Sequence, residues 1–78
     1  MKKVTVYSRL GCHLCEIAID KIKSVNSEID FELEIKLIDD VKTLQEKYND
    51  EVPVILIDDQ VHDYWRIDVE RFTKAIKS

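Results

Sequence analysis

Glycine and proline are nearly missing from this chain, with one of each in 78 residues. Hydrophobic residues make up 45% and charged residues 36%. There is apolar material for a core, so a disordered or low-complexity chain is excluded. A basic surplus is missing too: twelve Lys and Arg stand against sixteen Asp and Glu, a formal net charge of -4. With no basic cluster, neither a nucleic acid nor an anionic membrane is an expected partner. No apolar run approaches the roughly 20 residues of a spanning helix. After Met1 the chain meets Thr5, Ser8 and Arg9 before any apolar segment of about 7 residues forms, so no secretory signal is expected. The expected compartment is the cytoplasm. Cysteine is limited to Cys12 and Cys15, and in the cytoplasm two cysteines are more often reactive than a structural staple. The length fits one domain over residues 1–78, which buries only about 60% of its unfolded surface, and a monomer is expected.

What is present alternates between two periods. Val4 to Tyr7 reads as a short strand. From Cys12 the spacing turns helical, with Leu14, Ala18, Ile22 and Val25 on one face, Cys15 and Ile19 continuing it, and Asn26 and Ser27 as its end. "FELEIKL", residues 31–37, sets Phe31, Leu33, Ile35 and Leu37 against charged residues, as in a half-buried edge strand. A second helix fits residues 40–49, capped by Asp40, with Val41, Leu44 and Tyr48 inward. "VILI", residues 54–57, is apolar on both faces, as a covered central strand should be. Asp58 to Gln60 should turn the chain into a partner strand near residues 61–65. A last helix starts at Asp68, with Ile67 stapled to Phe72 and with Val69, Phe72 and Ile76 inward. The order is βαβ-α-ββ-α, an α/β fold with helices on both faces of a four-stranded mixed sheet.

The cysteines fall where strand gives way to helix. Unpaired N–H groups and the positive helix end would favour a Cys12 thiolate, the nucleophilic form. Cys15, three residues on and on the core face, would be the shielded resolving thiol of a two-step disulfide exchange. As metal ligands the pair would need one or two more donors. His13 and His62 are the only histidines, His13 points away from the cysteine side, and there is no second C-x-x-C. As inert core residues, Cys15 alone fits. The strand–C-x-x-C–helix context favours the redox reading. A binding module with incidental thiols and a metal or iron–sulfur carrier are the alternatives. His13 is either a solvated first-turn residue or a partly protonated imidazole that supports the Cys12 thiolate against Glu16. Arg9 is either a loop residue or an attractor for an anionic substrate group.

"VYSRLGCHLC" resembles the glutaredoxin pattern of strand, Tyr-Ser-Lys, two residues and Cys-Pro-Tyr-Cys. "EVPVILID" resembles the Thr-Val-Pro segment that opens that family's third strand. The element order matches over essentially the whole chain. The resemblance implies a thioredoxin-like, glutaredoxin-type fold. It also implies a dithiol–disulfide oxidoreductase without a cofactor or metal, with Cys12 as nucleophile and Cys15 as resolving thiol. Its substrates would be disulfide-bearing proteins or a small thiol such as glutathione, and a reductase would supply electrons. Pro53 should be cis, with Val52 offering its backbone to an extended substrate. Arg9 takes the place of the basic residue that meets a glutathione carboxylate, while His13 and Leu14 replace the family's Pro-Tyr, so the aromatic ring that helps hold glutathione is missing. Departures weaken the glutathione part: Glu51 replaces Thr, and bulky Tyr64, Trp65 and Arg66 stand where the family carries Gly-Gly before an Asp. Trp65 is expected to pack rather than to contact substrate, since aromatic side chains dominate small cores.

Overall fold

The computed structural model describes residues 2–48 and 51–77. Strands β1 (Lys3–Ser8), β2 (Glu32–Leu37), β3 (Val54–Ile57) and β4 (Gln60–Tyr64) form one sheet in the order β2-β1-β3-β4. β1 and β2 are parallel, while β1–β3 and β3–β4 are antiparallel. Helices α1 (His13–Asn26), α2 (Lys42–Tyr48) and α3 (Val69–Lys77) complete the chain. None is long and apolar enough to cross a membrane.

The period of two along β1 and β3 divides the core into two layers. Val4, Val6 and Ile55 face one side and pack with Ala18, Ile22 and Val25 of α1 and with Phe72 and Ile76 of α3. Phe31 meets Phe72 edge-on there, ring centres 5.7 Å apart. Val54 and Leu56 face the other side, with Tyr48 of α2, Ile38, Val52 and Cys15. A fully buried Phe or Ile side chain contributes roughly 1.5–3 kcal/mol, so these two layers supply most of the drive to fold. β3 is an inner strand, and its first three residues are buried, as its two-sided apolarity requires. β2 is an edge. Lys3 Nζ lies 3.3 Å from Glu34 Oε2 across its ladder, and that hydrogen-bonded ion pair holds the Glu34 carboxyl below its ordinary value.

Asp58 and Asp59 both take positive φ, 50° and 68°, and link Ile57 to its partner Gln60 by a two-residue turn. Asp68 caps α3: its Oδ1 accepts the Arg71 N–H at 3.1 Å. Ile67 and Phe72, the staple pair, are 5% and 0% exposed.

Several expectations need correction. Residues 38–40 form a 3₁₀ turn, and α2 begins only at Lys42. Val41, not Asp40, leads into it, donating to Ile38 O and accepting from Gln45 N, both at 3.0 Å. With extended backbone there, Val41 turns its side chain outward, and Ile38 fills the core instead. The expected last residue, Asn49, lies outside the described residues. Val69 and Ile35 are also exposed, the first at a helix end and the second on the edge strand. Leu14 is 53% exposed, since the buried stripe of α1 runs through Cys15, Ala18, Ile22 and Val25.

Candidate disulfide site

β1 ends at Ser8, and a tight turn carries the chain into α1. The Cys12 N–H donates to Arg9 O at 3.3 Å, closing a four-residue turn. Gly11, third in that turn, has φ +72°, which a glycine adopts without steric cost. Cys12 is the N-cap of α1, and its Sγ accepts the backbone N–H of Cys15 at 3.2 Å. The sulfur occupies the position usually held by a Ser or Asp oxygen, at the positive end of a 14-residue helix.

Cys12 and Cys15 form a disulfide, with Cα atoms 5.2 Å apart. Cys12 is partly exposed and Cys15 is 1% exposed, packed with Val52, Val54 and Ile38. The Val52–Pro53 peptide bond is cis, Pro53 is fully buried, and Val52 packs in the cluster that Cys12 borders. Antiparallel pairing puts this loop at the end of the sheet where β1 finishes, because Val54 pairs with Tyr7. The Trp65 N–H donates to Pro53 O at 2.8 Å, which ties the end of β4 to the same place.

Cys12, Cys15, Val52 and Pro53 therefore come together, and the other expected site residues stand around them. Arg9 lies in the turn with its Nε 3.8 Å from Asp39 Oδ1. His13 Nδ1 lies 3.7 Å from Glu16 Oε2, both side chains well exposed. Leu14 faces solvent. Trp65 is 56% exposed, so the expectation that it packs in the core is overturned: its backbone is tied at Pro53 while its side chain stands largely in water.

The sequence reading missed Asp39. Its Oδ2 accepts the Leu10 N–H at 2.8 Å, and its own backbone oxygen accepts from Gln45 Nε2 at 2.6 Å. One residue thus joins the disulfide turn to α2. An acidic pair after a strand is the available signal, but local capping rules pointed to Asp40. Among the described residues no group of three or more His, Cys, Asp or Glu is placed to hold a metal ion.

Residues 3–77 match the family model of the glutaredoxin-like domain (DUF836). Among solved structures, the chain is similar to a Nitrosomonas europaea protein determined by solution NMR, at 34% identity and TM-score 0.82, covering 95% of this chain and 89% of that one. It is similar to an X. campestris protein determined by X-ray, at 27% identity and TM-score 0.75, covering 95% of each. A mutant thioredoxin from Halobacterium salinarum, at 15% identity and TM-score 0.69, covering 97% of this chain and 72% of that one, shares the fold. Comparison with curated proteins gives no match. The chain belongs to the glutaredoxin-like domain family, and its fold is thioredoxin-like.

Proposed function

We propose that this glutaredoxin-like chain is a dithiol–disulfide oxidoreductase in which Cys12 attacks and Cys15 resolves. The observation that carries the reading is the Cys15 N–H directed at Cys12 Sγ at the mouth of α1, with Cys15 itself buried behind. In the reduced protein the same N–H and helix end would stabilise a Cys12 thiolate, whereas a buried Cys15 would stay protonated. Only the outer sulfur is then an attacking group at neutral pH.

The thiolate of Cys12 attacks one sulfur of a target disulfide. That S–S bond breaks, the leaving thiolate takes a proton, and a Cys12–target mixed disulfide forms. Cys15 then gives up its proton and attacks Cys12 Sγ, which releases the second target thiol and closes Cys12–Cys15. Two electrons have passed from the protein to the target. Two molecules of a small thiol such as glutathione, leaving as their own disulfide, or a reductase, supply the two electrons that reopen the pair. In the cytoplasm, the compartment this reading assigns, such donors keep thiols reduced. Val52 and Pro53 offer the wall along which an extended substrate lies beside Cys12, with Leu14 at its rim. Arg9 offers a cation near the entrance, and His13 a second when protonated.

The test is a pair of serine variants. Cys12→Ser should abolish reduction of a model disulfide, and Cys15→Ser should accumulate mixed disulfides detectable by mass. A Cys12→Ser protein reducing the disulfide at the wild-type rate would end this reading.

A further inference from the structure

The two basic side chains that flank Cys12 each stand beside a carboxylate. Arg9 Nε lies 3.8 Å from Asp39 Oδ1, and His13 Nδ1 lies 3.7 Å from Glu16 Oε2. The pairs differ in how firmly the acid is held. Glu16 is a well exposed residue on α1. Asp39 is anchored independently of Arg9. Its Oδ2 accepts the Leu10 N–H at 2.8 Å, and its backbone oxygen accepts from Gln45 Nε2 at 2.6 Å. One carboxylate oxygen is thus fixed against the turn, and the other faces the guanidinium.

That anchoring has an electrostatic consequence. An exposed ion pair loses much of its attraction to the entropy of ordering two side chains. Here the acid is already ordered, so only Arg9 has to adjust. Both side chains are partly exposed, and the pair contributes little to stability. Its effect falls on the charge that the site presents. Arg9 is tied to the reactive residue by the turn itself, since its carbonyl accepts the Cys12 N–H at 3.3 Å. An anion approaching Cys12 therefore meets a guanidinium that a carboxylate, fixed on the same turn, already engages.

We propose that Asp39 determines the charge specificity of the disulfide site: its anchored carboxylate engages Arg9 and withholds that cation from anionic partners of Cys12. The substrate class is then a disulfide with no carboxylate close to its sulfurs, rather than an anionic thiol peptide such as glutathione. The substrate part rests on the redox reading, whereas the charge met at Cys12 is measurable without it.

The experiment uses two reagent pairs, each with one neutral and one anionic member of similar size. Reduced protein is alkylated with iodoacetamide or iodoacetate, and the modification is assigned to Cys12 by peptide mass. In separate runs it is oxidised by hydroxyethyl disulfide or dithiodipropionate. The anionic-to-neutral rate ratio is compared for wild type, Asp39→Asn, Arg9→Gln and the double variant. Asn removes the charge and keeps an acceptor for the Leu10 N–H. Asp39→Ser, whose hydroxyl also accepts, gives the same reading if the amide variant folds poorly.

Asp39→Asn should raise the ratio about fivefold, the scale of one unit-charge pair in contact through water. The gain should appear at about 10 mM salt and vanish near about 1 M, where the Debye length has shrunk from about 30 Å to about 3 Å. Arg9→Gln should change the wild-type ratio little and should remove the gain of Asp39→Asn. A ratio unchanged by Asp39→Asn overturns the proposal and leaves Asp39 only its hold on the turn. An equal gain in the Arg9→Gln background overturns it too, because Asp39 would then act by its own field and not through Arg9. A protein inert toward both disulfides would instead defeat the redox reading, while the alkylation ratio would still decide the charge assignment.

Discussion

Asp39 accepts the backbone N–H of Leu10 at 2.8 Å, although 29 residues separate them. Through this bond the turn after β2 fixes the turn that delivers Cys12 to α1. Asp39→Ala removes the acceptor and should cost about 1 kcal/mol, the net value of an ordinary hydrogen bond. It should also slow alkylation of Cys12, because the turn that presents the sulfur is loosened. Asp39→Asn keeps an acceptor for the N–H and should retain most of both properties. Urea unfolding and iodoacetamide kinetics on the reduced protein check this. Equal behaviour of all three proteins would remove Asp39 from the account.

Gly11 answers a backbone requirement. No atom lies within 4 Å of where its Cβ would stand, so space does not forbid a side chain. Its φ of +72° does. Gly11→Val should destabilise by more than about 1 kcal/mol, and Gly11→Asn by clearly less, since Asn visits this region more readily. Denaturant midpoints of the two variants give the order, and Val equal to Asn contradicts it.

Asp68→Ala leaves the Arg71 N–H at the start of α3 without its side-chain acceptor. The expected loss is about 1 kcal/mol, with Asp68→Asn near wild type because the two are comparable caps. Thermal unfolding followed by circular dichroism measures it.

His62 makes stability depend on pH. It is the extra residue of a bulge in β4: Ile55 pairs with Asp63 and Leu56 with Val61, leaving His62 unopposed. Its ring meets Phe72 edge-on at 6.1 Å, and its Nε2 is buried without a hydrogen-bond partner among the described residues. Burial, then the Arg71 charge, pushes its pKa below the ordinary 6.5, against Asp63 and Asp68, which pull it up. Between the folded value and 6.5 the unfolded chain binds a proton that the folded one refuses, so stability is fully present above 6.5 and falls as pH drops through that window. His62→Gln removes the titration. Its stability should therefore vary less with pH than the wild type's between about pH 5 and 7.5, a range that brackets the unperturbed His value. Parallel curves for the two proteins would contradict the assignment.

Much of this was legible from local pattern, because local pattern has local causes. The period of two in β1 and β3 and the Asp68 cap with its Ile67–Phe72 staple each act within a few residues. The same holds for the C-x-x-C at a helix mouth. Where the reading slipped, the deciding partner was remote. Val41 and Leu14 carry apolar side chains at helical spacing, but the sheet beneath chose Ile38 and Cys15. Trp65 looked like core material because large aromatics usually are.

The sequence alone determined the alternation of strands and helices, the edge and centre of the sheet, and the place of both cysteines on α1. These follow from side-chain periodicity and backbone preferences that any segment carries with it. Only the tertiary structure decided that Val52 and Pro53 close on the disulfide, that Asp39 ties the turn, and that Trp65 stands exposed in left-handed backbone. Each of these is set by hydrogen bonds and packing between segments far apart in the chain, whose energies appear only when the sheet brings them together.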